Sequence, residues 1–364
     1  MKILFLGDFF YDYDYETDDF SKIIQYITEH NYKVVLNLET SVCYCDKPIK
    51  KRGPNLQSSP TIIDLLKKMQ CICVCLANNH AMDYGEDSLV ATIKRLQEAG
   101  IACIGAGKDI DEAIKPVVIS DEDTTIVIQN YGWDIEETVY ASEKHGGCAP
   151  LMRKKIVQRT YELSKQYSNA KIVNIFHWGF EYNTLPMPCD IQFAHDCIHA
   201  GCDLIIGHHP HVIQPFEIFG GKRIFYSLGN FYFGSRRDVF PDNFHNELYH
   251  NYADYGLGVI WDTNTDTYQT ICVNYERENK KTAVIENDDC VLPQFSGNNW
   301  NDESYLKLAK QHAYKPNPIL GLDERANAKQ IFILRTKYII ASKLRLLIRF
   351  PIGKKLYNYL KSKA

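Results

Sequence analysis

A short apolar run that ends in histidines constrains this chain more than any other stretch. Residues 204–206 (Leu-Ile-Ile) are typical of a buried strand, and Gly207 is followed at once by HHPH. Apolar residues favour a core, whereas imidazoles at the end of such a strand cannot be buried there without partners. His209 and His211 are two positions apart, so in an extended loop they project to the same side. The stretch predicts a metal site, and solvent-exposed loop histidines are the alternative.

Other apolar strands along the chain also end in polar groups. KILFLGD, KVVLNLET, CICVCLANNH and KIVNIFHWGFEY show this pattern, and helices are predicted over SKIIQYITEHN, TIIDLLKKMQ, DYGEDSLVATIKRLQEAG and PCDIQFAHDCIHAG. In an α/β sheet the carboxyl ends of strands converge on one edge, so residues far apart in sequence become neighbours. After RIFYSLGNF, the segments YGLGVIWD, YQTICVNYERE and TAVIEND alternate between polar turns, which predicts antiparallel strands.

The polar groups at these strand ends form a mixed set of possible metal ligands. Two carboxylates, one amide oxygen and three imidazoles suit one or two divalent cations such as Mn, Fe, Zn or Mg better than a thiolate zinc site does. The candidate ligands are Asp8, Glu39, Asn79, His177, His209 and His211.

Cysteines and one helical histidine pair offer other possible metal sites. The apolar start MKILFLGDFF is too short for a signal peptide, so we expect a cytoplasmic protein whose twelve cysteines are reduced. Cys71, Cys73 and Cys75 alternate, which predicts three small apolar side chains on one strand face, with zinc binding as the alternative. His195 and His199 have the i, i+4 spacing of a zinc site, but solvent-facing positions on a helix explain both.

Charge is distributed unevenly along the chain. Residues 325–364 hold 11 Lys and Arg and no Asp or Glu, whereas residues 1–324 carry a net charge of −15. The acidic body argues against nucleic-acid binding, and the basic tail requires an anionic partner. We expect a main domain over 1–290 and an extension over 291–364 with a basic amphipathic helix. That helix would pack on the body or lie on an anionic membrane surface, at the inner membrane face.

The motifs, taken in chain order, resemble a known family. GD, NLE, LANNHAMDYGED, GIACIGAG, HWGFEY, GCDLIIGHHPHV and IFYSLGNFYFG are similar to the bacterial capsule and poly-γ-glutamate synthesis proteins of the CapA type, in the calcineurin-like metallophosphoesterase superfamily. The similarity runs over roughly residues 1–234, and LANNH and GHHPHV are its most specific parts. It implies an α/β fold, a four-layer α/β/β/α metallophosphoesterase-like sandwich, with the metals at the strand ends and a basic C-terminal helical tail.

The resemblance also implies a role for each candidate ligand. Glu39 would bridge two cations, and His80 would lie beside the substrate as catalytic acid or oxyanion donor. The remaining ligands would be Asp8 and His211 for the first cation, and Asn79, His177 and His209 for the second.

Further residues of the motifs are candidates for orienting ligands or for contacting substrate. Asp83 and Glu181 would orient His80 and His177, or are surface carboxylates; Ser227 and Asn230 would contact substrate, or only support the strand and turn. Asn37, at the end of the second strand, belongs to the same group. In the loop 43–60, the basic run 50–52 (Lys-Lys-Arg) could meet an anionic substrate, although a basic loop is more often only solvated.

Two positions depart from the phosphoesterase pattern. The usual Asp-x-His of the first block is Asp8-Phe9-Phe10 here, and Phe10 cannot bind a metal. Glu39 replaces the usual Asp, which adds one methylene. The capsule-type family shows similar departures, so they support the resemblance, while the first cation is expected to lose an imidazole ligand.

The sequence leaves three functions open. The first is a metal-dependent hydrolase or transferase of phosphoesterase type, acting on an anionic polymer or phosphorylated substrate in the synthesis of capsule, exopolysaccharide or poly-γ-glutamate. The second is a non-catalytic partner that binds a metal or a polymer within a membrane synthase complex. The third is a sugar-phosphate or nucleotide phosphatase.

Overall fold

The computed structural model describes residues 1–11, 18–51, 53–133, 138–234, 254–276, 279 and 281–286. The predicted domain boundary at 290/291 and the basic tail lie outside these residues. In chain order the elements are β1 (Lys2–Phe10), α1 (Ser21–His30), β2 (Lys33–Leu38), β3 (Ser41–Val42), β4 (Gln57–Ser58), α2 (Ile62–Lys68), β5 (Cys71–Cys75), α3 (Gly85–Glu98), β6 (Ala102–Ile104), β7 (Ala106–Gly107), α4 (Ile110–Ala113), β8 (Val117–Ser120), β9 (Thr125–Gly132), β10 (Gly147–Cys148), α5 (Arg153–Gln166), β11 (Lys171–His177), α6 (Pro188–His199), β12 (Leu204–His208), β13 (Phe216–Phe219), β14 (Lys222–Phe225), β15 (Asn230–Phe233), β16 (Tyr255–Asp262), β17 (Thr267–Glu276) and β18 (Lys281–Glu286).

Two large sheets form the centre of the fold. The first has the order β18-β17-β16-β1-β2-β5-β6, with β15 pairing in parallel to the end of β1. The second has the order β13-β14-β12-β11-β9-β8. The strands β1, β2, β5 and β6 are parallel to one another, as are β9, β11, β12 and β14. The predicted antiparallel pairing of β16, β17 and β18 is confirmed.

Strand alternation places apolar side chains on both faces of each sheet. In β1, Ile3 and Phe5 pack against Val173 and Ile175 of the second sheet, while Leu4 lies on the opposite face. The opposite face of the first sheet is covered by α1, α2 and α3, and that of the second sheet by α5 and α6. Because the central strands are buried on both sides, the order of layers is helix, sheet, sheet, helix, and the four-layer fold class is confirmed.

The helix α3 shows how local sequence produces these layers. Leu89 and Leu96 are fully buried on its sheet-facing side. The negative charge of Glu86 in the first turn interacts favourably with the positive end of the helix dipole. The helix ends where Gly100 adopts a φ of +78°, a left-handed conformation that glycine accepts without steric cost. The predicted helix and its glycine terminator are therefore confirmed.

The prediction that Cys71, Cys73 and Cys75 share one face is wrong. The pairing of β2 and β5 shifts register at this point, and the irregularity turns Cys71 towards the helices while the other two face the second sheet. Burial raises the pKa of Cys71 to about 12, so the thiol stays protonated and is a poor metal ligand.

Most described cysteines are free thiols, as the sequence predicted. Cys272 of β17 is disulfide-bonded, so the expectation of a fully reduced set is wrong at this position. No helix among the described residues is both long and apolar enough to cross a membrane.

Candidate metal centre

The carboxyl ends of the parallel strands bring the predicted ligands together. Two groups of buried residues each place their ligand atoms within 4.8 Å of one another, and both groups contain Glu39. The groups are Glu39, His177 and His209, and Asp8, Glu39 and His211. Asn79 joins the first group, since its Oδ1 lies 2.8 Å from Nε2 of His177. All six predicted ligands therefore lie at one edge of the two sheets.

The two carboxylates are held by a buried amide. Nδ2 of Asn37 donates to Oδ1 of Asp8 at 2.8 Å and to Oε2 of Glu39 at 3.2 Å. Nδ2 of Asn78 in turn donates to Oδ1 of Asn37 at 3.1 Å, and Oδ1 of Asn78 accepts from the backbone N–H of His80. This chain fixes the ends of β1 and β2 relative to the loop after β5.

Burial and neighbouring charges shift the pKa values of the two carboxylates, Asp8 and Glu39. Burial raises the pKa of Glu39 well above its usual value. Burial alone would also raise the pKa of Asp8, but the neighbouring imidazoles of His208 and His211 hold it well below its usual value. Burial opposes protonation of His211, yet Glu39 and Asp8 raise its pKa to about 10. The protein alone therefore compensates one of the two carboxylates with a cationic imidazole.

The other two ligand histidines are neutral. Burial, followed by the charge of His209, lowers the pKa of His177 well below its usual value. Burial lowers the pKa of His209 to about 4. Neutral imidazole is the form that binds metal ions.

Local backbone strain marks the histidine loop. His209 has a φ of +95° and His211 a φ of +57°, a region that residues with a Cβ rarely occupy. Each such residue costs about 1–3 kcal/mol and persists where the surrounding structure enforces it. The backbone N–H of His209 donates to Oδ2 of Asp8 at 3.1 Å, which is one contact that holds this loop.

The buried polar atoms fit a cation. Among the described residues, neither Oε1 of Glu39 nor either ring nitrogen of His209 has a hydrogen-bond partner. Unpartnered buried polar atoms are costly, and carboxylate and imidazole are the donors that Mn, Fe and Zn prefer. Nδ1 of His211 contacts Oδ1 of Asn230 at 2.8 Å, which leaves Nε2 to face Glu39.

The predicted catalytic residue has two charged neighbours. Nδ1 of His80 lies 2.7 Å from Oδ2 of Asp83 and 3.0 Å from Nζ of Lys51. Burial, followed by the charge of Lys51, lowers the pKa of His80. Lys51 itself is buried and pairs with Asp83, so the expectation that it is solvated or free to meet substrate is wrong.

The remaining predicted residues take different positions. Glu181 is half-buried and near enough for its charge to influence Glu39, His209 and His211. Asn230 contacts His211 as described above. Ser227 is fully buried, and its hydroxyl accepts from the backbone N–H of Gly229, a contact within the turn.

Two residues of this site were not selected from the sequence. His208, the last residue of β12, places Nδ1 3.0 Å from Oδ1 of Asp8. Asn78 holds Asn37. Both residues lie within the motifs GHHPH and LANNH, and membership of those motifs was the only sequence feature that pointed to them. Which residues of such a motif face the ligand cluster depends on the backbone conformation.

Phe10 lies where the phosphoesterase pattern has an imidazole. It is 1% exposed and packs against Phe233 with ring centroids 5.3 Å apart, and Phe233 in turn contacts the ring of His211. The ring of Phe233, packed against Phe10, therefore lies next to His211, and neither aromatic ring can bind a metal.

The histidine pair on α6 is not a metal site. His199 is exposed, but the expectation that His195 faces solvent is wrong. His195 is buried, Nε2 lies 2.9 Å from Oε2 of Glu217, and the ring stacks on Phe219. Both partners lie on the strand β13, outside the helix α6, so the helical spacing of the two histidines gave no sign of the contact.

The fold and the cluster together define a class. A four-layer sandwich with carboxylate, amide and imidazole ligands at the strand ends is a metallophosphoesterase-like architecture, as the resemblance implied. The sequence pattern of the family described as "Bacterial capsule synthesis protein PGA_cap" matches residues 2–235. The chain belongs to this family.

Individual relatives agree with the family match. The chain is 31% identical over 221 residues to the PGA biosynthesis protein CapA of Bacillus subtilis, which covers 60% of this chain and 53% of that protein. It is 30% identical over 221 residues to the capsule biosynthesis protein CapA of Bacillus anthracis, covering 59% of this chain and 53% of the relative. The chain thus spans about half the length of these relatives.

Solved structures are similar only at a distance. A 5'-nucleotidase precursor from Thermus thermophilus superposes with a TM-score of 0.43 and 11% identity, covering 85% of this chain and 58% of the other. The NAD nucleotidase of Haemophilus influenzae gives a TM-score of 0.44 and 12% identity, covering 79% and 60%. These values are too low to indicate an activity.

Proposed function

We propose that this chain is a metal-dependent hydrolase or transferase of phosphoesterase type that acts in the synthesis of capsule, exopolysaccharide or poly-γ-glutamate. One observation supports this most directly. Glu39 belongs to both ligand groups, and its Oε1 has no hydrogen-bond partner among the described residues. A carboxylate shared by two sets of possible ligands is suited to a pair of divalent cations a few ångströms apart.

Each residue has a separate part in the proposed chemistry. Asp8, Glu39 and His211 would hold one cation, and Glu39, Asn79, His177 and His209 the other. When bound, such cations polarise a phosphoryl or carbonyl oxygen and lower the pKa of a water. Asn37 donates to both carboxylates, and His80 would donate a hydrogen bond or a proton to the reacting group.

A non-catalytic role is the second candidate, and Phe10 favours it. Because Phe10 replaces an imidazole, the group of Asp8, Glu39 and His211 has fewer ligands than the phosphoesterase pattern supplies. A chain that holds one cation firmly could bind polymer without cleaving it. Metal content separates the two functions: the enzyme needs two equivalents per chain, and the binding partner needs at most one.

The test combines elemental analysis of the purified protein with a substrate panel. Phosphomonoesters, phosphodiesters and γ-linked glutamate peptides would be incubated with protein reconstituted with Mn²⁺, Fe²⁺, Zn²⁺ or Mg²⁺. Turnover of a polymer-type substrate with two bound cations would support the proposal. Turnover restricted to sugar phosphates or nucleotides would indicate a phosphatase outside polymer synthesis. Two bound cations with no turnover of any class would refute catalysis.

The uneven charge of the chain bears on its location and its partners. We place the body in the cytoplasm and the basic segment 325–364 against an anionic surface, which would be the inner membrane face or a synthase complex. The segment carries 11 basic and no acidic residues, and each Lys or Arg near an anionic membrane contributes about 1 kcal/mol. The −15 body is the competing partner for this segment.

A further inference from the structure

The side chain of Lys51 is buried, unlike those of the other two lysines in the loop between β3 and β4. Its side chain is 3% exposed, whereas Lys47 and Lys50 are exposed. Removing an ammonium group from water costs several kcal/mol unless it is paired and hydrogen-bonded. The surroundings of Lys51 must therefore supply that compensation.

The ammonium of Lys51 contacts three residues of one turn, Asn79, His80 and Asp83. It forms an ion pair with Oδ1 of Asp83, donates to the backbone carbonyl of Asn79 at 3.0 Å, and lies 3.0 Å from Nδ1 of His80. Asn79 is a predicted ligand, and His80 is the predicted catalytic residue. Lys51 thus contacts the turn that carries both.

Asp83 links this turn to the loop that delivers Lys51. Its Oδ2 lies 2.7 Å from Nδ1 of His80 and accepts from the backbone N–H of Leu56 at 2.6 Å. Its backbone carbonyl accepts from the backbone N–H of Ile49 at 2.8 Å and from Nδ2 of Asn55 at 3.1 Å. Ile49, Asn55 and Leu56 therefore hold Asp83 from the loop side, and the Lys51 ammonium pairs with the carboxylate of the same residue.

The contacts of Lys51 also compensate the charge of a buried carboxylate. Because Asp83 is fully buried, its carboxylate needs a counter-charge, and Lys51 provides one without displacing His80 from the other oxygen. A lysine used only for solubility would point outward, as Lys47 does. The ammonium of Lys51 instead points inward and is paired with Asp83.

We propose that Lys51 is a positioning residue for His80, acting through Asp83 to hold the imidazole in one orientation beside the ligand cluster. The role rests on the proposed function, since His80 matters for turnover only if the centre is catalytic. Lys51 does not touch substrate in this scheme. Its effect should appear in turnover and in the environment of the His80 ring.

The first experiment compares Lys51→Met, Lys51→Arg and the exposed-loop control Lys47→Met, each reconstituted with metal. Loss of the hydrogen-bond partner that orients a metal ligand typically lowers activity about 10- to 100-fold, and we apply the same range to a partner that orients His80. We expect Lys51→Met to lower kcat by that factor with unchanged KM and metal content, and Lys51→Arg to recover part of it, because the guanidinium keeps the charge. Lys47→Met should match the wild type.

Three outcomes would overturn the proposal. They are unchanged kcat in Lys51→Met, a loss confined to KM, and a Lys51→Arg variant that is no better than Lys51→Met. If Lys51→Met does not fold, Lys51→Gln replaces it, because the amide still donates to Asp83 without a charge.

A spectroscopic readout separates this proposal from the proposed function. In protein with ¹⁵N-labelled histidine, the ring signals of His80 are assigned by their loss in His80→Gln. We expect Lys51→Met, but not Lys47→Met, to shift the Nδ1 signal of His80. If the wild type turns over no substrate, the proposed function fails while this measurement still tests Lys51, and an unchanged Nδ1 signal refutes the positioning role.

Discussion

Replacing Asn37 by Leu tests whether the buried amide organises a metal centre. The substitution keeps roughly the side-chain volume but removes the two hydrogen bonds that Nδ2 donates to Asp8 and Glu39, at 2.8 and 3.2 Å. It also leaves Nδ2 of Asn78 without its acceptor on Asn37, although that group still donates to the backbone carbonyl of Leu38. Both carboxylates lose the contact that holds them together.

The size of the effect follows from this geometry. Residues that orient metal ligands typically contribute about 10- to 100-fold to metal affinity, which corresponds to about 1.4–2.8 kcal/mol. Asn37 contacts two carboxylates, one of which is shared, so we expect a weakening towards the upper end of that range. The assay is calorimetric titration of Mn²⁺ into protein stripped with a chelator.

A matched control separates metal binding from stability. Asn174 is also a fully buried asparagine, and its side chain accepts from Gln129 and donates to Thr160 rather than to the ligand cluster. Asn174→Leu should lower the thermal stability of the protein while leaving Mn²⁺ affinity unchanged. An Asn37→Leu protein with wild-type affinity, or an equal loss of affinity in Asn174→Leu, would refute the reasoning.

Three further predictions concern the centre and the tail. His209→Ala should lose one cation by elemental analysis and abolish any hydrolysis, while His199→Ala, on the exposed side of α6, should change neither; equal activity would make the cluster structural. Chelation should lower the thermal unfolding temperature and Mn²⁺ should restore it, since a ligand at 100 times its Kd stabilises by about 2.7 kcal/mol; an unchanged temperature would argue against a bound cation. Deleting residues 335–364 should abolish co-sedimentation with anionic vesicles, and unchanged sedimentation would exclude a membrane anchor there.

Much of the fold followed from short-range patterns. Apolar runs such as 204–206 predicted buried strands, and the apolar stripe of α3 with Gly100 at its end predicted that helix. These signals work because a strand buried on both faces and a helix buried on one face each impose a fixed spacing of apolar residues. The register shift that turns Cys71 away from Cys73 had no such signal, because it depends on how β2 pairs with β5.

The candidate site could be outlined from the sequence but not completed. Polar residues at strand ends had to meet, since parallel strands align their carboxyl ends, and this placed Asp8 beside residues of β12. The burial of Lys51 and His195 could not be foreseen. Each depends on a carboxylate distant in sequence, Asp83 for the first and Glu217 for the second.

The sequence by itself predicted the alternation of the main strands and helices, the family, and most of the candidate ligands, because each depends on residue type and local spacing. Only the tertiary structure decided that Glu39 is common to two ligand groups, that Asn37 joins the carboxylates, and that Lys51 pairs with Asp83 beside His80. Each of these contacts joins segments that only the fold brings together. The spacing of residues along the chain does not encode a contact between distant segments.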